Sequence, residues 1–284
     1  MENEKKVLLS VLAHPDDESF GMGGTLALYA QNGVEVHLIC ATRGEAGEVG
    51  PEYLKDYDSI GDLREAELRC AAGHLGLSGV YFLGYRDSGM DGSPENCHPD
   101  ALVKAPIPEV AQEIARYIRE LKPQVLVTFD PIGGYRHPDH IAIHKATLEA
   151  FQLAADTGFI SEFPPYKPQK LYYHTISRRF IRITVKLLRL FGKDPSRWGK
   201  NKDIDLTSLA VEDYPVHAEI KYRNVEKRKD AAAFCHASQG GAGLAKGPIQ
   251  WIARFFGGKD QFMRAFPPTK PGEFENDLFD NVEI

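Results

Sequence analysis

The sequence is poor in cysteine, in long apolar runs and in excess positive charge. Its 284 residues include four cysteines, Cys40, Cys70, Cys97 and Cys235, with no C-x-x-C pair among them. That spacing speaks against a structural zinc site and against a disulfide framework, so the expectation is reduced thiols in a cytoplasmic protein. The segment Met1 to Lys6 leads straight into a short strand and lacks the apolar core of a secretion signal. No apolar stretch reaches bilayer-spanning length, and no membrane partner is expected. A formal net charge of −6 argues against a nucleic-acid partner, because such a surface must neutralise phosphates. Beyond two short motifs there is no internal repeat, and no linker forces a split. What is present is an ordinary globular composition, 43% hydrophobic and 26% charged, in a chain long enough to bury a large core.

Lys5 to Ala13 is dense in Val and Leu, as a parallel strand buried on both faces must be. Gly21, Gly23 and Gly24 open a helical pattern that runs through Leu26, Leu28 and Tyr29 and stops at Asn32-Gly33. Strands are expected at Val34–Ala41, Val80–Leu83 and Val125–Phe129, and helices at Leu63–Leu77, Glu109–Leu121 and Ile141–Ala155. Pro94 to Pro108 reads as a loop over the strand ends. This alternation predicts an α/β fold, Rossmann-like and doubly wound, with a mostly parallel sheet and helices on both faces. Beyond residue 155 a further strand is expected at Leu171–Ile176. Arg178, Arg182, Lys186 and Arg189 interleave with Ile183, Val185, Leu187 and Leu188 in a basic amphipathic helix. Such a helix lies on a membrane surface or packs its apolar side on the domain, and the second is expected. Glu219–Cys235 reads as helical, and Pro267–Ile284 as an acidic tail laid over the surface.

Chemistry concentrates in two turns. Ala13-His14-Pro15-Asp16-Asp17-Glu18 follows the first strand, and His137-Pro138-Asp139-His140 follows Gly133-Gly134-Tyr135 after Val125–Phe129. A lone histidine is usually a hydrogen-bonded core or surface residue. Two H-P-D-[DH] turns, each at a strand exit where open α/β sheets bind ligands, point to a site. His14 and Asp17 lie three apart, so one turn can aim both at a point and leave Asp16 as a spare carboxylate. Catalytic zinc takes three such ligands, an open position and a nearby base. Spacing alone leaves the remaining ligand open. His137 and His140 share a turn, while His140 and His144 are i,i+4 on a helix face. Gly21 to Gly24 is a poor G-x-G-x-x-G, and the acidic turn before it would repel pyrophosphate, so a non-catalytic nucleotide-binding protein is a minor alternative.

The pairing of HPDDE with HPDH resembles the zinc-dependent N-acetylglucosaminyl deacetylases of the LmbE-like (PIG-L) family. Arg43-Gly44-Glu45 fits it, and Gly84-Tyr85-Arg86-Asp87-Ser88-Gly89-Met90 is similar to the branch with mycothiol- and bacillithiol-pathway deacetylases and amidases. The likeness is strong over 5–155 and returns at His236-Ala237-Ser238-Gln239. It implies a ligand set of His14, Asp17 and His140, with Zn2+ as the cofactor and Fe2+ compatible in the cell. It casts Asp16 as general base, His137 as oxyanion stabiliser, Tyr135 as a helper at the carbonyl and Asp139 as the residue that orients or tunes an imidazole. Arg64, Asp87 and Glu45 are implied on the substrate side. Glu18 either supports the ligands or is simply an acid at a helix start. The implied reaction releases acetate from a small N-acetylglucosamine conjugate. The alternative is an amidase cleaving a larger thiol-conjugate amide. One domain is expected over 1–284, with 1–155 carrying the metal and 156–284 completing the substrate site. Self-association is left open.

Overall fold

The computed structural model describes residues 5–176, 178–198, 204–211, 214–241 and 258–284, so the first four residues of the expected lead-in lie outside it. The strands are β1 (Val7–Leu12), β2 (Glu35–Thr42), β3 (Gly79–Tyr85), β4 (Val125–Phe129), β5 (Lys170–Thr175), β6 (Ala218–Lys221) and β7 (Lys259–Phe266). They form one sheet in the order β3-β2-β1-β4-β5-β7-β6. The first five run parallel, and β7 lies antiparallel to both β5 and β6. The helices are α1 (Asp17–Gly21), α2 (Gly23–Gln31), α3 (Ile60–Leu75), α4 (Ile107–Leu121), α5 (Gly133–Arg136), α6 (Pro138–Leu153), α7 (Arg178–Leu190), α8 (Leu206–Leu209) and α9 (Glu226–Cys235). Every residue of β1 and β4 is buried, so both faces of the sheet centre are covered. The mostly parallel, doubly wound sheet predicted from the alternation is what is found.

From β1 the chain winds outward through β2 and β3, then restarts at β4, which pairs with β1 on its other side. Connections leave the C-terminal ends of β1 and β4 in opposite directions, and the crevice between them is where such sheets hold ligands. Both H-P-D turns leave from those two ends.

Local chemistry explains most boundaries. Ser59 Oγ accepts the Asp62 N–H at 3.1 Å to start α3, and Gly76 ends it at φ 80°. Helix α6 begins three residues before the expected Ile141, because Pro138, Asp139 and His140 form a polar first turn that hydrophobic periodicity does not register. On α2, a Cβ at Gly24 would sit 2.2 Å from the Tyr222 ring, so only glycine lets this helix approach so closely.

The C-terminal half holds the corrections. Glu219 belongs to β6, not to a helix, and only Glu226–Cys235 is α-helical. Four residues of alternation are too few to reveal a strand whose ladder comes from distant β7. The tail is not a surface strap: Leu278 and Phe279 join the core. Glu275 is buried and accepts hydrogen bonds from Lys170 Nζ, Tyr172 OH and Arg264 Nη1, each at 2.6 Å. The cysteines are not all reduced. Cys70 and Cys235 form a disulfide joining α3 to α9 across 165 residues, while Cys40 and Cys97 are free. Local spacing could not show it, because the packing of α3 on α9 brings the two together, and the cysteine argument for a reducing compartment falls with it. The basic helix α7 behaves as expected, with Ile181, Val185 and Leu188 packed on Leu206 and Leu209 of α8. Among the described residues no helix is long and apolar enough to cross a membrane.

Candidate metal centre and active site

His14 leaves the C-terminal end of β1, and its N–H donates to Asp17 Oδ2 at 2.8 Å, closing the turn. Asp16 sits between them at φ 124°, ψ −28°, a conformation L-residues avoid and one that costs on the order of 1–3 kcal/mol. The surroundings hold it there. Its N–H donates to Glu18 Oε2 at 3.0 Å, and its carbonyl accepts from Ser19 and Phe20 N–H at 3.0 and 2.9 Å. Glu18 is in turn fixed by Ser19 Oγ at 2.5 Å and His236 Nε2 at 2.7 Å. The glutamate therefore supports the turn and is more than an acid at a helix start. Burial would raise its pKa, but His236 and Ser19 hold it below the usual range.

The second turn is also a helix cap. His137 is the N-cap of α6, and its Nδ1 accepts the Asp139 N–H at 3.2 Å, with Pro138 at the first helical position. This bond makes His137 Nδ1 an acceptor and leaves the proton on Nε2. Burial, reinforced by His14 and His140, pushes its pKa well below the usual value. Asp139 Oδ2 faces His14 Nε2 at 3.1 Å and accepts the Ser88 N–H at 2.9 Å. The imidazole it orients is that of His14.

Three donor groups converge on one point. His14 Nδ1 lies 3.2 Å from His140 Nε2, His140 Nε2 lies 3.3 Å from Asp17 Oδ1, and Asp17 Oδ2 lies 3.6 Å from His14 Nδ1. Ligands at about 2.0–2.2 Å from a tetrahedral ion stand about 3.3–3.6 Å apart, so this donor set fits zinc. Looser groupings, His14 with His137 and His140 or His14 with Asp87 and Asp139, converge within 4.8 Å. The ring nitrogens facing away are tied down, His140 Nδ1 to Gly133 O at 3.2 Å and His14 Nε2 to Asp139, which leaves His14 Nδ1 and His140 Nε2 as lone-pair donors. His144 is not in the cluster, since its Nδ1 meets Phe129 O at 2.9 Å. Without an ion the charges settle among themselves. Burial would lower the His14 pKa, yet Asp87, Asp139 and Asp17 raise it well above its usual value. Burial would raise that of Asp17, yet His140 and His14 hold it well below the carboxylate range.

Asp16 lies beside this point. Burial pushes its pKa up to about 6, with Arg64 opposing and Asp17 adding. Arg64, on α3, donates from Nη2 to Asp16 Oδ2 at 2.9 Å and to Pro15 O at 2.6 Å, and from Nη1 to Gly44 O at 3.0 Å. Gly44, at φ 69°, has room for the guanidinium only because it lacks a Cβ. The arginine is buried, and its two terminal nitrogens are spent on the turn and on Gly44. Asp87 stands behind His14, Oδ1 to Nε2 at 3.4 Å, and its N–H donates to Glu45 Oε2 at 3.1 Å. Among the described residues, Glu45 meets the cluster through that backbone contact. Tyr135 stands edge-on to His140 and His137, ring centroids 4.9 and 5.9 Å away. His236 and Glu67 were given no role from sequence. His236 buttresses Glu18, and Glu67 binds Ser238 through its N–H at 2.8 Å and its Oγ at 2.7 Å. The His236-to-Gln239 likeness was the signal for both.

A cavity of about 810 Å³ opens from the cluster, lined there by Asp16, Asp17, Tyr135 and His140. A donor set able to hold an ion, with a further carboxylate beside it at the end of such a cavity, suits metal-assisted hydrolysis.

The PIG-L family model, described as GlcNAc-PI de-N-acetylase, matches residues 9–151. A 1D-myo-inositol 2-acetamido-2-deoxy-alpha-D-glucopyranoside deacetylase from Streptomyces scabiei is 39% identical, covering 82% of this chain and 76% of its own. Among solved structures, N,N'-diacetylchitobiose deacetylase from Pyrococcus horikoshii is similar at TM-score 0.63 and 21% identity, covering 95% of this chain and 88% of its own. GalB, the 4-carboxy-2-hydroxymuconate hydratase from Pseudomonas putida KT2440, is similar at TM-score 0.61 and 18% identity, covering 94% of this chain and 99% of its own. Deacetylase and hydratase on one architecture show that the fold does not select the reaction, which must be argued from the site. Sequence identity and the family match together show that this chain belongs to the PIG-L family.

Proposed function

We propose that the protein is a zinc-dependent hydrolase that removes the acetyl group from a small N-acetylglucosamine conjugate, giving acetate and a glucosamine derivative. The observation that carries this is the convergence of His14, Asp17 and His140 donor atoms at tetrahedral edge lengths, with the Asp16 carboxylate beside them and outside the donor set. His14, Asp17 and His140 would hold the ion, and Fe2+ suits the same donors. An ion bound there supplies a Lewis acid for the acetamide carbonyl and lowers the pKa of water toward ~7.

Asp16 takes the proton of the attacking water, held in place by Arg64. His137 donates a hydrogen bond from its Nε2 N–H to the oxygen that becomes negative and keeps its proton, and Tyr135 assists at the same oxygen. The C–N bond breaks, and Asp16 returns its proton to the leaving amine. Asp139 and Asp87 keep the His14 ring oriented. Arg64 holds Asp16 and faces Asp87, Nη1 to Oδ2 at 3.9 Å, and Glu45 supports Asp87 through its backbone N–H, so these three position the turn and do not line the cavity. The sheet runs through both halves, which supports one domain over 1–284, with 156–284 completing the cavity. The test is acetate release from 1D-myo-inositol 2-acetamido-2-deoxy-α-D-glucopyranoside and simpler N-acetylglucosaminides by zinc-loaded protein. Absence of acetate from all of them would overturn the reading.

A further inference from the structure

The cavity does not end at the metal turn. It runs on to Arg178 and Arg182 of α7, Tyr214, and Lys259 and Gln261 of β7. Arg178 is 6% exposed. Its Nη2 meets Asp130 Oδ2 at 3.4 Å, while Asp130 Oδ1 is taken by the Gly134 N–H at 2.8 Å. Its guanidinium stands over the Tyr214 ring, 5.5 Å from the centroid. Its Nε and Nη1 are buried and have no hydrogen-bond partner among the described residues. A buried guanidinium with two donors unspent is costly unless something else engages them.

Three cations, Arg178, Arg182 and Lys259, line this end of the cavity. Arg182, one turn along, donates its Nε to Ala210 O at 2.9 Å, and Lys259 pairs with Glu219 at 2.7 Å. Of the acids on the wall, Asp16 and Asp17 belong to the metal turn. Asp260 is occupied by Thr25, accepting from its N–H at 2.9 Å and its Oγ1 at 2.7 Å. We propose that Arg178 recognises an anionic group, carboxylate or phosphate, on the part of the substrate beyond the amino sugar, so that the enzyme selects acidic conjugates over neutral ones. Arginine suits the task because its planar fork matches both groups. The assignment rests on the deacetylase reading above and adds the class of aglycone.

The test uses the zinc-loaded full chain and three probes: methyl N-acetylglucosaminide, the N-acetylglucosaminide of glycolic acid, and N-acetylglucosamine 1-phosphate. Acetate release gives kcat/KM for each. The expected result is a preference of about tenfold or more for an acidic probe over the methyl glycoside, the scale of one charge-assisted hydrogen bond. Which acidic probe is preferred distinguishes carboxylate from phosphate. Arg178→Gln should bring the ratio close to one, and Arg178→Lys, which retains a cation opposite Asp130, should keep part of it. Equal turnover of all three probes by the unaltered enzyme overturns the proposal, even if the glutamine variant does not fold. A preference that survives Arg178→Gln overturns it as well. No acetate from any probe removes the deacetylase reading itself, an outcome distinct from equal turnover.

Discussion

Asp16 concentrates several opposing forces. Its backbone is strained, its carboxylate is half-buried, and Arg64 is its charged partner. Replacing it with Asn keeps the shape and every metal ligand, so Asp16→Asn should retain zinc while kcat falls roughly 10²–10⁴-fold. An Asp16→Asn enzyme with near-normal kcat would move the base elsewhere. The pH profile follows from the same residue. A general base works deprotonated, so kcat/KM should climb as pH rises through its pKa. Burial sets that pKa at about 6, and a cation in the site lowers it, so the acid limb should fall at or below about pH 6. A limb above pH 7 would contradict this assignment.

In the proposed mechanism His137 has two tasks on one ring, capping α6 through Nδ1 and donating a hydrogen bond from Nε2. Asn is also a good cap, so His137→Asn should fold and keep its metal while kcat drops roughly 10²–10³-fold, the scale of one lost oxyanion donor. His140→Ala should instead leave gel filtration depleted of zinc. If His137→Asn lost the metal and His140→Ala stayed loaded, the two roles would be exchanged.

At the scale of elements, the site depends on strands and helices far apart in sequence. β7 runs against β5 and β6, and Glu275 in the tail gathers Lys170, Tyr172 and Arg264 into one buried network. Glu275→Ala leaves two cations without their shared partner, so it should destabilise the protein by about 3–5 kcal/mol. Urea unfolding measures this. A change under 1 kcal/mol would mean the network is dispensable. The opposite edge of the site depends on α3 and α9. The first carries Arg64 and Glu67, and the second leads into His236 and Ser238.

For the whole molecule, the Cys70–Cys235 bond closes a loop of 165 residues. Constraining so long a loop in the unfolded chain should stabilise the fold by roughly 2–5 kcal/mol. Thermal unfolding with and without a dithiol reductant reads it directly: the melting temperature should fall on reduction, and the Cys70→Ser, Cys235→Ser double variant should match the reduced protein. An unchanged midpoint would show that the cross-link adds nothing to the native contacts between α3 and α9.

The first half of the chain was legible because its signals are local. Buried parallel strands are continuous runs of Val and Leu, helices carry their own caps, and each H-P-D turn follows its strand directly. The convergence on His14, Asp17 and His140 could be anticipated from spacing and family likeness together. Other features exist only in three dimensions. Asp139 serves His14 because α6 sets it there, 125 residues away in sequence. β6 exists because β7 pairs with it, the tail is buried because Tyr29 and Lys170 lie beneath it, and Cys70 finds Cys235 because two helices pack. Arg178, read from sequence as one charge on an amphipathic helix, became a cavity residue only through the fold. Periodicity reports which face of an element is apolar, and only tertiary packing decides which distant group that face will meet.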